Sequence, residues 1–161
     1  SFILLARFLF QLSKADFYNP ISQMVLQATD PILNPLRKIL PQSKLIDAAS
    51  FLMLFIVQTL KFYAATFLVI QAAPPPIQAI IAGLFGVASI TINFFLFALF
   101  IIAIGSWFSQ GGYHPFLSLL GQVTEPLVGF FRRFIPPAGG FDFSLMIAAT
   151  LLFFIKILFG L

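Results

Sequence analysis

The sequence has no cysteine and a single histidine, and charged residues fill only 9% of its 161 positions. Without cysteine there can be no disulfide, thiolate metal site or cysteine nucleophile. With one histidine, His114, and one glutamate, Glu125, neither a hydrolytic triad nor a multi-histidine metal site can be assembled in one chain. The sequence therefore reads as non-enzymatic and carries no signal for a cofactor. A scattered net charge of +4 is too small to argue for nucleic acid. From Phe62 to Thr124 there is no Asp, Glu, Lys or Arg. A soluble domain needs more polar surface than this to cover its core. The bilayer is the natural solvent. The sequence opens at Ser1 inside an apolar run, so further residues are expected upstream. No small-residue cleavage site follows, and the run does not read as a signal peptide.

What is present is apolar, 60% of the chain, and 17% of it is aromatic. Four stretches stand out: Ser1–Leu12, Ala48–Ala73, Ile77–Phe108 and Phe143–Leu161. The first is too short to cross a ~30 Å hydrocarbon core unless it continues upstream. The second ends against Pro74-Pro75-Pro76. The third would reach roughly 48 Å as a helix and must tilt or project. The fourth is just long enough to span. Between them lie Ser13–Asp47 and Ser109–Asp142, which carry Lys14, Arg37, Lys38, Lys44, Arg132 and Arg133; the opposite connection, around Ala72–Gln78, has no basic residue. The bias of Lys and Arg toward cytoplasmic loops places both charged segments on the cytoplasmic side, and four spans leave both termini outside.

Sliding the sequence by 95 residues without a gap makes eleven of 66 aligned positions identical. The matches include Tyr18/Tyr113, Pro20/Pro115, Gln27/Gln122, Thr29/Thr124, Pro31/Pro126, Arg37/Arg132, Pro41/Pro136, Asp47/Asp142 and Lys61/Lys156. Asp30/Glu125 and Lys38/Arg133 are conservative pairs in the same register. Apolar composition alone would not align prolines and charges, so the chain reads as an internal repeat. The divisions are 1–66 for the first copy, 67–95 for the connection and start of the third span, and 96–161 for the second copy. Each copy holds an even number of spans, so the two are expected parallel, related by an axis along the membrane normal.

Each connecting segment reads as two short helices. Asn19 caps the first, with Pro20 at its first position, and Ile21, Met24, Val25 and Ala28 recur at helical spacing. His114 takes the place of Asn19 in the second copy, where Phe116, Leu119, Leu120 and Val123 repeat the pattern. Asp30-Pro31 and Glu125-Pro126 are expected to begin another helix in each copy. Its apolar face is Ile32, Leu33, Leu36, Ile39 and Leu40, matched by Leu127, Val128, Phe131, Phe134 and Ile135. Lys38 and Arg133 fall opposite that face and Arg37 and Arg132 at its edge, which suits a helix lying in the interface. Pro35 should kink the first copy.

The run Asp16-Phe17-Tyr18-Asn19-Pro20-Ile21-Ser22-Gln23, then Thr29-Asp30-Pro31 and Pro35-Leu36-Arg37-Lys38-Ile39-Leu40-Pro41, resembles the YggT family of bacterial and plastid membrane proteins. Ser106-Trp107, Thr124-Glu125-Pro126-Leu127, Arg132-Arg133-Phe134-Ile135-Pro136 and Gly140-Phe141-Asp142-Phe143 fit the same pattern in the second copy. The resemblance implies links to hyperosmotic tolerance and potassium uptake, to division-site and envelope organisation, and in plastids to assembly of cytochrome b6 with its haem. It supplies no catalytic residues.

The candidate functional residues are few. Arg37, Lys38, Arg132 and Arg133 either grip anionic headgroups, at about 1 kcal/mol each, or only fix topology. Lys61 and Lys156 lie 14 residues past Asp47 and Asp142. An ammonium there costs ~2.5–3.5 kcal/mol on insertion scales. They mark either an ion pathway or partner contact, or simple snorkelling and hydrogen bonding to polar span residues such as Asn93 or Gln58. They are expected to point into the protein or a partner. Asp47 and Asp142 read as helix caps, and His114 as a cap rather than a haem ligand. Ala79, Ala82, Gly86, Ser89 and Asn93 form a small-residue stripe suited to close helix packing.

The expected molecule is an all-α membrane bundle of four transmembrane helices in two parallel tandem repeats, each with an amphipathic interfacial segment. Its expected role is a scaffold or assembly factor. Its expected partners are anionic lipids and other membrane proteins or further copies of itself. The alternative is an ion channel or transporter, for potassium in the family's terms.

Overall fold

The computed structural model describes residues 1–40, 46–108, 114–135 and 142–161, and the side chains of all of these except Trp107 and Phe108. The Pro41/Pro136 pair, Lys44, Tyr113, Gly140 and Phe141 lie outside the described residues. Six helices are present among those described: α1 (Phe2–Leu12), α2 (Pro20–Arg37), α3 (Ala48–Ile70), α4 (Pro76–Phe108), α5 (Pro115–Arg132) and α6 (Phe143–Phe159). The bounds of α2 and α5, and the starts of α3 and α6, are offset by 95 residues.

The helix ends follow from local chemistry. The Asn19 side chain accepts from the amide of Ile21 at 3.0 Å, and Pro20 sits at the first helical position, where its missing N–H is no loss. Asp47 accepts from the Ser50 amide at 3.2 Å and Asp142 from the Ser144 amide at 3.0 Å, capping α3 and α6. Gln71 closes α3 in a left-handed conformation, and three prolines follow. His114 corrects an expectation: it occupies the N-cap position of α5 but makes no capping hydrogen bond through its side chain. Imidazole lacks the short side-chain oxygen that Asn19 offers.

The larger correction concerns the prolines. Each connecting segment holds one 18-residue helix, not two short ones, with Pro31 and Pro35 inside α2 and Pro126 inside α5. Asp30 and Glu125 therefore sit in mid-helix. A proline inside a helix removes one hydrogen bond and crowds the carbonyl four residues back. Here all three rings lie on exposed surface, where the released carbonyls can be hydrated. The opposite face of α2 is fully buried at Ser22 and Leu33, and that packing holds α2 as one helix past both prolines.

Two helices, α3 and α4, are long and apolar enough to cross a membrane; α1 and α6, with 11 and 17 residues, are shorter apolar helices. Four full-length spans are therefore not what the described residues contain. The fourth expected span reached Leu161, but Gly160 turns left-handed and ends α6 at Phe159, roughly 25 Å of helix.

Helices α1, α2 and α3 pack against one another, as do α4, α5 and α6, and the antiparallel α3–α4 pair joins the two groups. Leu5, Leu33 and Leu54 form the centre of the first group together with Leu119 and Val123 of α5. Leu99, Val128 and Ala148 form that of the second. At the α3–α4 crossing Gln58 Nε2 donates to the Gly86 carbonyl at 2.9 Å, and a Cβ on Gly83 would stand 2.1 Å from Thr59 Oγ1. Part of the small-residue stripe thus serves contact between these two helices. The outward faces of α3 and α6 are apolar, with Leu60, Phe67, Leu68, Met146, Phe153 and Ile157 all exposed.

Candidate functional site

Where α2 ends and α3 begins, two arginines and two aspartates converge. Arg7, on α1, is 4% exposed. Its Nη2 lies 2.7 Å from Asp30 Oδ1, its Nη1 donates to Thr29 Oγ1 at 2.6 Å and to the Leu26 carbonyl at 3.0 Å, and its Nε lies 3.5 Å from Asp47 Oδ2. Arg37 approaches the same carboxylates from the C-terminal end of α2, 3.4 Å from Asp30 and hydrogen-bonded to Asp47. A buried guanidinium needs such partners, because an unpaired charge in this setting would be strongly destabilising.

The second half repeats part of this. Arg132 lies between Glu125, at 2.9 Å, and Asp142, at 2.8 Å. In both halves the arginine follows one acidic residue by seven positions and precedes the capping aspartate by ten. The arginine therefore ties the C-terminal end of the amphipathic helix to the N-terminus of the next helix. Arg7 has no equivalent, since Ile102 stands 95 residues on. Thr124 makes the same backbone contact as Thr29, to the carbonyl four residues back, but without an arginine on it.

These contacts set the protonation of the groups they hold. Burial would raise the Asp47 carboxyl, but hydrogen bonds from the Ser50 side chain and amide, with the bond and charge of Arg37, outweigh it and leave its pKa below the ordinary value. The hydrogen bond to Asp142 raises the pKa of Arg132 against the opposing effect of burial, with the charges of Asp142 and Glu125 adding to it.

The four basic candidates thus divide. Arg37 and Arg132 are engaged with carboxylates, whereas Lys38 and Arg133, one residue on, are exposed. Arg7 was not legible as a functional residue: one arginine in an apolar run gives no sign of the two aspartates that reach it. The capping aspartates carry a second duty for the same reason. The intramembrane candidates divide too. Lys156 Nζ donates to Asn93 Oδ1 at 2.6 Å, joining α6 to α4. Lys61 is exposed and makes no such contact among the described residues, so of the expected places, inside the protein or at a partner, only a partner is open to it. Helix α4 runs beside α6 and supplies Asn93 as the partner of Lys156.

Beside the α2–α3 junction is a cavity of about 730 Å³, with Arg7, Arg37, Lys38, Gln11 and Asn34 in its wall. A second hollow of about 650 Å³ mixes Lys14 and Arg133 with Glu125. No group of three metal-ligating side chains occurs among the described residues.

The long apolar helices, the outward apolar faces and the charged junctions define a helical membrane protein. The family model of CCB3/YggT matches residues 1–68 and 81–161, and the chain belongs to that family. It is 41% identical over 159 residues to the uncharacterized protein YggT of Escherichia coli, covering 96% of this chain and 79% of that protein. It is 40% identical over 143 residues to an uncharacterized protein of Pseudomonas aeruginosa, covering 88% of this chain and 73% of that protein. A Vibrio alginolyticus relative is 33% identical over 159 residues, 98% of this chain and 85% of its own. No solved structure matches the chain.

Proposed function

We propose that the protein is a non-enzymatic scaffold or assembly factor of the bacterial inner membrane, engaging anionic lipid and other membrane proteins or further copies of itself. The observation that carries this reading is the pair of arginine junctions. Each ties an amphipathic helix to the helix that follows by setting an arginine between two carboxylates. What remains for partners includes the exposed Lys38 beside the first junction and broad apolar faces along α3 and α6. A fixed platform with an apolar flank suits binding to neighbours in the plane of the membrane.

In this reading α1, α3, α4 and α6 all lie across the membrane and α2 and α5 lie in its cytoplasmic interface, with both termini outside. Residues 1–66 and 96–161 act as parallel tandem repeats, and 67–95 as the connection between them. Support comes from the 95-residue offset of helix bounds and of both junctions. Membership of the family adds an expected link to osmotic tolerance and envelope organisation.

Transport is the second reading, favoured by the Lys156–Asn93 contact between apolar helices. No acidic residue lies in α3, α4 or α6 to line a cation path. Potassium flux into liposomes separates the two. The scaffold predicts none above protein-free controls, together with a stoichiometric membrane partner in mild detergent; a saturable flux overturns it.

A further inference from the structure

The cavity at the α2–α3 junction has the chemistry of an anion site. Arg7, Arg37 and Lys38 bring positive charge to its wall, against Asp47 in the wall and Asp30 paired with both arginines, which leaves one positive charge in excess. Arg7 is buried, yet among the described residues its Nε makes no hydrogen bond and has Asp47, at 3.5 Å, as its ionic neighbour. Gln11 and Asn34 add side-chain amides. Ala48 and Ala49, the first two residues of the 23-residue α3, also face the cavity. Their amides have no acceptor within the helix, and the positive end of its dipole points the same way.

We propose that this cavity binds a phosphate group, which in the membrane is the phosphodiester of an anionic lipid headgroup. The inference deepens the scaffold reading and rests on its lipid contact, by giving that contact one position. Lys38, exposed in the cavity wall, supplies an ammonium for a tetrahedral oxyanion, and the helix N-terminus supplies amides without adding charge. The site belongs to the first half only. Ile102 replaces Arg7 and Gly129 replaces Asn34, while Arg133 replaces Lys38. Arg133 is thus an internal control, an exposed cation at the matching place without the rest of the site.

The test compares Lys38→Glu, Asn34→Glu and Arg133→Glu, all at exposed positions where folding tolerates the change. Full-length protein in mild detergent is offered phosphatidylglycerol and phosphatidylcholine, and retained lipid is counted by native mass spectrometry. One phosphatidylglycerol should be retained per chain. Lys38→Glu and Asn34→Glu should each weaken it about fivefold or more, the scale of one headgroup charge, and Arg133→Glu should not. Inorganic phosphate is titrated in parallel. Saturable phosphate binding lost in the same two variants, without lipid selectivity, keeps the site and makes its occupant a soluble phosphate. Equal loss in all three variants, or in none, overturns the cavity as a site. Binding of the wild-type protein to phosphatidylglycerol vesicles tells whether general lipid contact survives that failure.

Discussion

Arg7 and Asp30 meet at 2.7 Å, a buried guanidinium of α1 against a carboxylate of α2. This contact, with those of Arg37, makes the first junction a network of four charges, whereas the second has only Arg132 between two carboxylates. Removing Arg7 leaves Asp30 with Arg37 alone and takes a donor from Thr29 and from the Leu26 carbonyl. Arg7→Gln should cost about 3 kcal/mol, the lower end for breaking a buried pair because Asp30 is itself partly exposed. Arg132→Gln, on a more solvated pair, should cost about 1 kcal/mol. Thermal unfolding of both variants in one detergent checks the order, and the reverse order refutes it.

Asp47 should make stability depend on acid. Its folded pKa lies below the unfolded value, so its contribution is present above the unfolded pKa of about 3.9 and lost as pH falls through the folded value. Asp47→Asn should therefore be less stable than wild type at pH ~7 and should lose less between pH ~5 and ~3. Parallel pH profiles for the two proteins would remove Asp47 as the titrating group.

Much of this was legible in the sequence because charges and prolines are rare in it. The pairs Arg37/Arg132 and Asp47/Asp142 stand out against an apolar background, and Asp47 and Asp142 cap helices where the spacing puts them. The continuity of α2 was not legible. Asp30-Pro31 carries the local signature of a helix start, and only the buried face at Ser22, Thr29 and Leu33 overrides it. Arg7 was hidden because its partners lie 23 and 40 residues away on other helices. Lys61 and Lys156 match in sequence yet differ in surroundings, since a register reports the residue and not the helix beside it.

Gly83 should be intolerant of any larger side chain. A Cβ there would stand 2.1 Å from Thr59 Oγ1, which is held by its bond to the Phe55 carbonyl at 2.9 Å. Gly83→Leu should separate α3 from α4 and cost about 1–3 kcal/mol or more, as overpacking does. Gly121, with nothing within 4 Å of its Cβ position, is the control, and Gly121→Ala should be neutral or stabilising. Equal stability of the two glycine variants in a detergent melt would mean that α3 and α4 do not meet at Gly83.

The last prediction concerns Lys156 and Asn93, whose 2.6 Å contact ties α6 to α4. Asn93→Leu removes the acceptor and leaves an ammonium among apolar helices, where it must snorkel, draw in water or lose its proton. Lys156→Leu removes that cation and leaves an amide near Ser89, which Asn93 approaches at 3.5 Å. The first change should therefore cost more, about 1–2 kcal/mol in an unfolding assay, and the second less. The double variant should fall near Lys156→Leu alone, because once the charge is gone the loss of its acceptor matters little. Lys61→Leu should stay within about 0.5 kcal/mol of wild type, since that lysine is exposed and unpartnered among the described residues. All the leucine variants should insert at least as readily as wild type, so reduced insertion is not an explanation for any loss. Strict additivity of Asn93→Leu and Lys156→Leu would show that the two side chains do not interact, and a Lys61→Leu variant as damaged as Asn93→Leu would show that Lys61 also holds a partner.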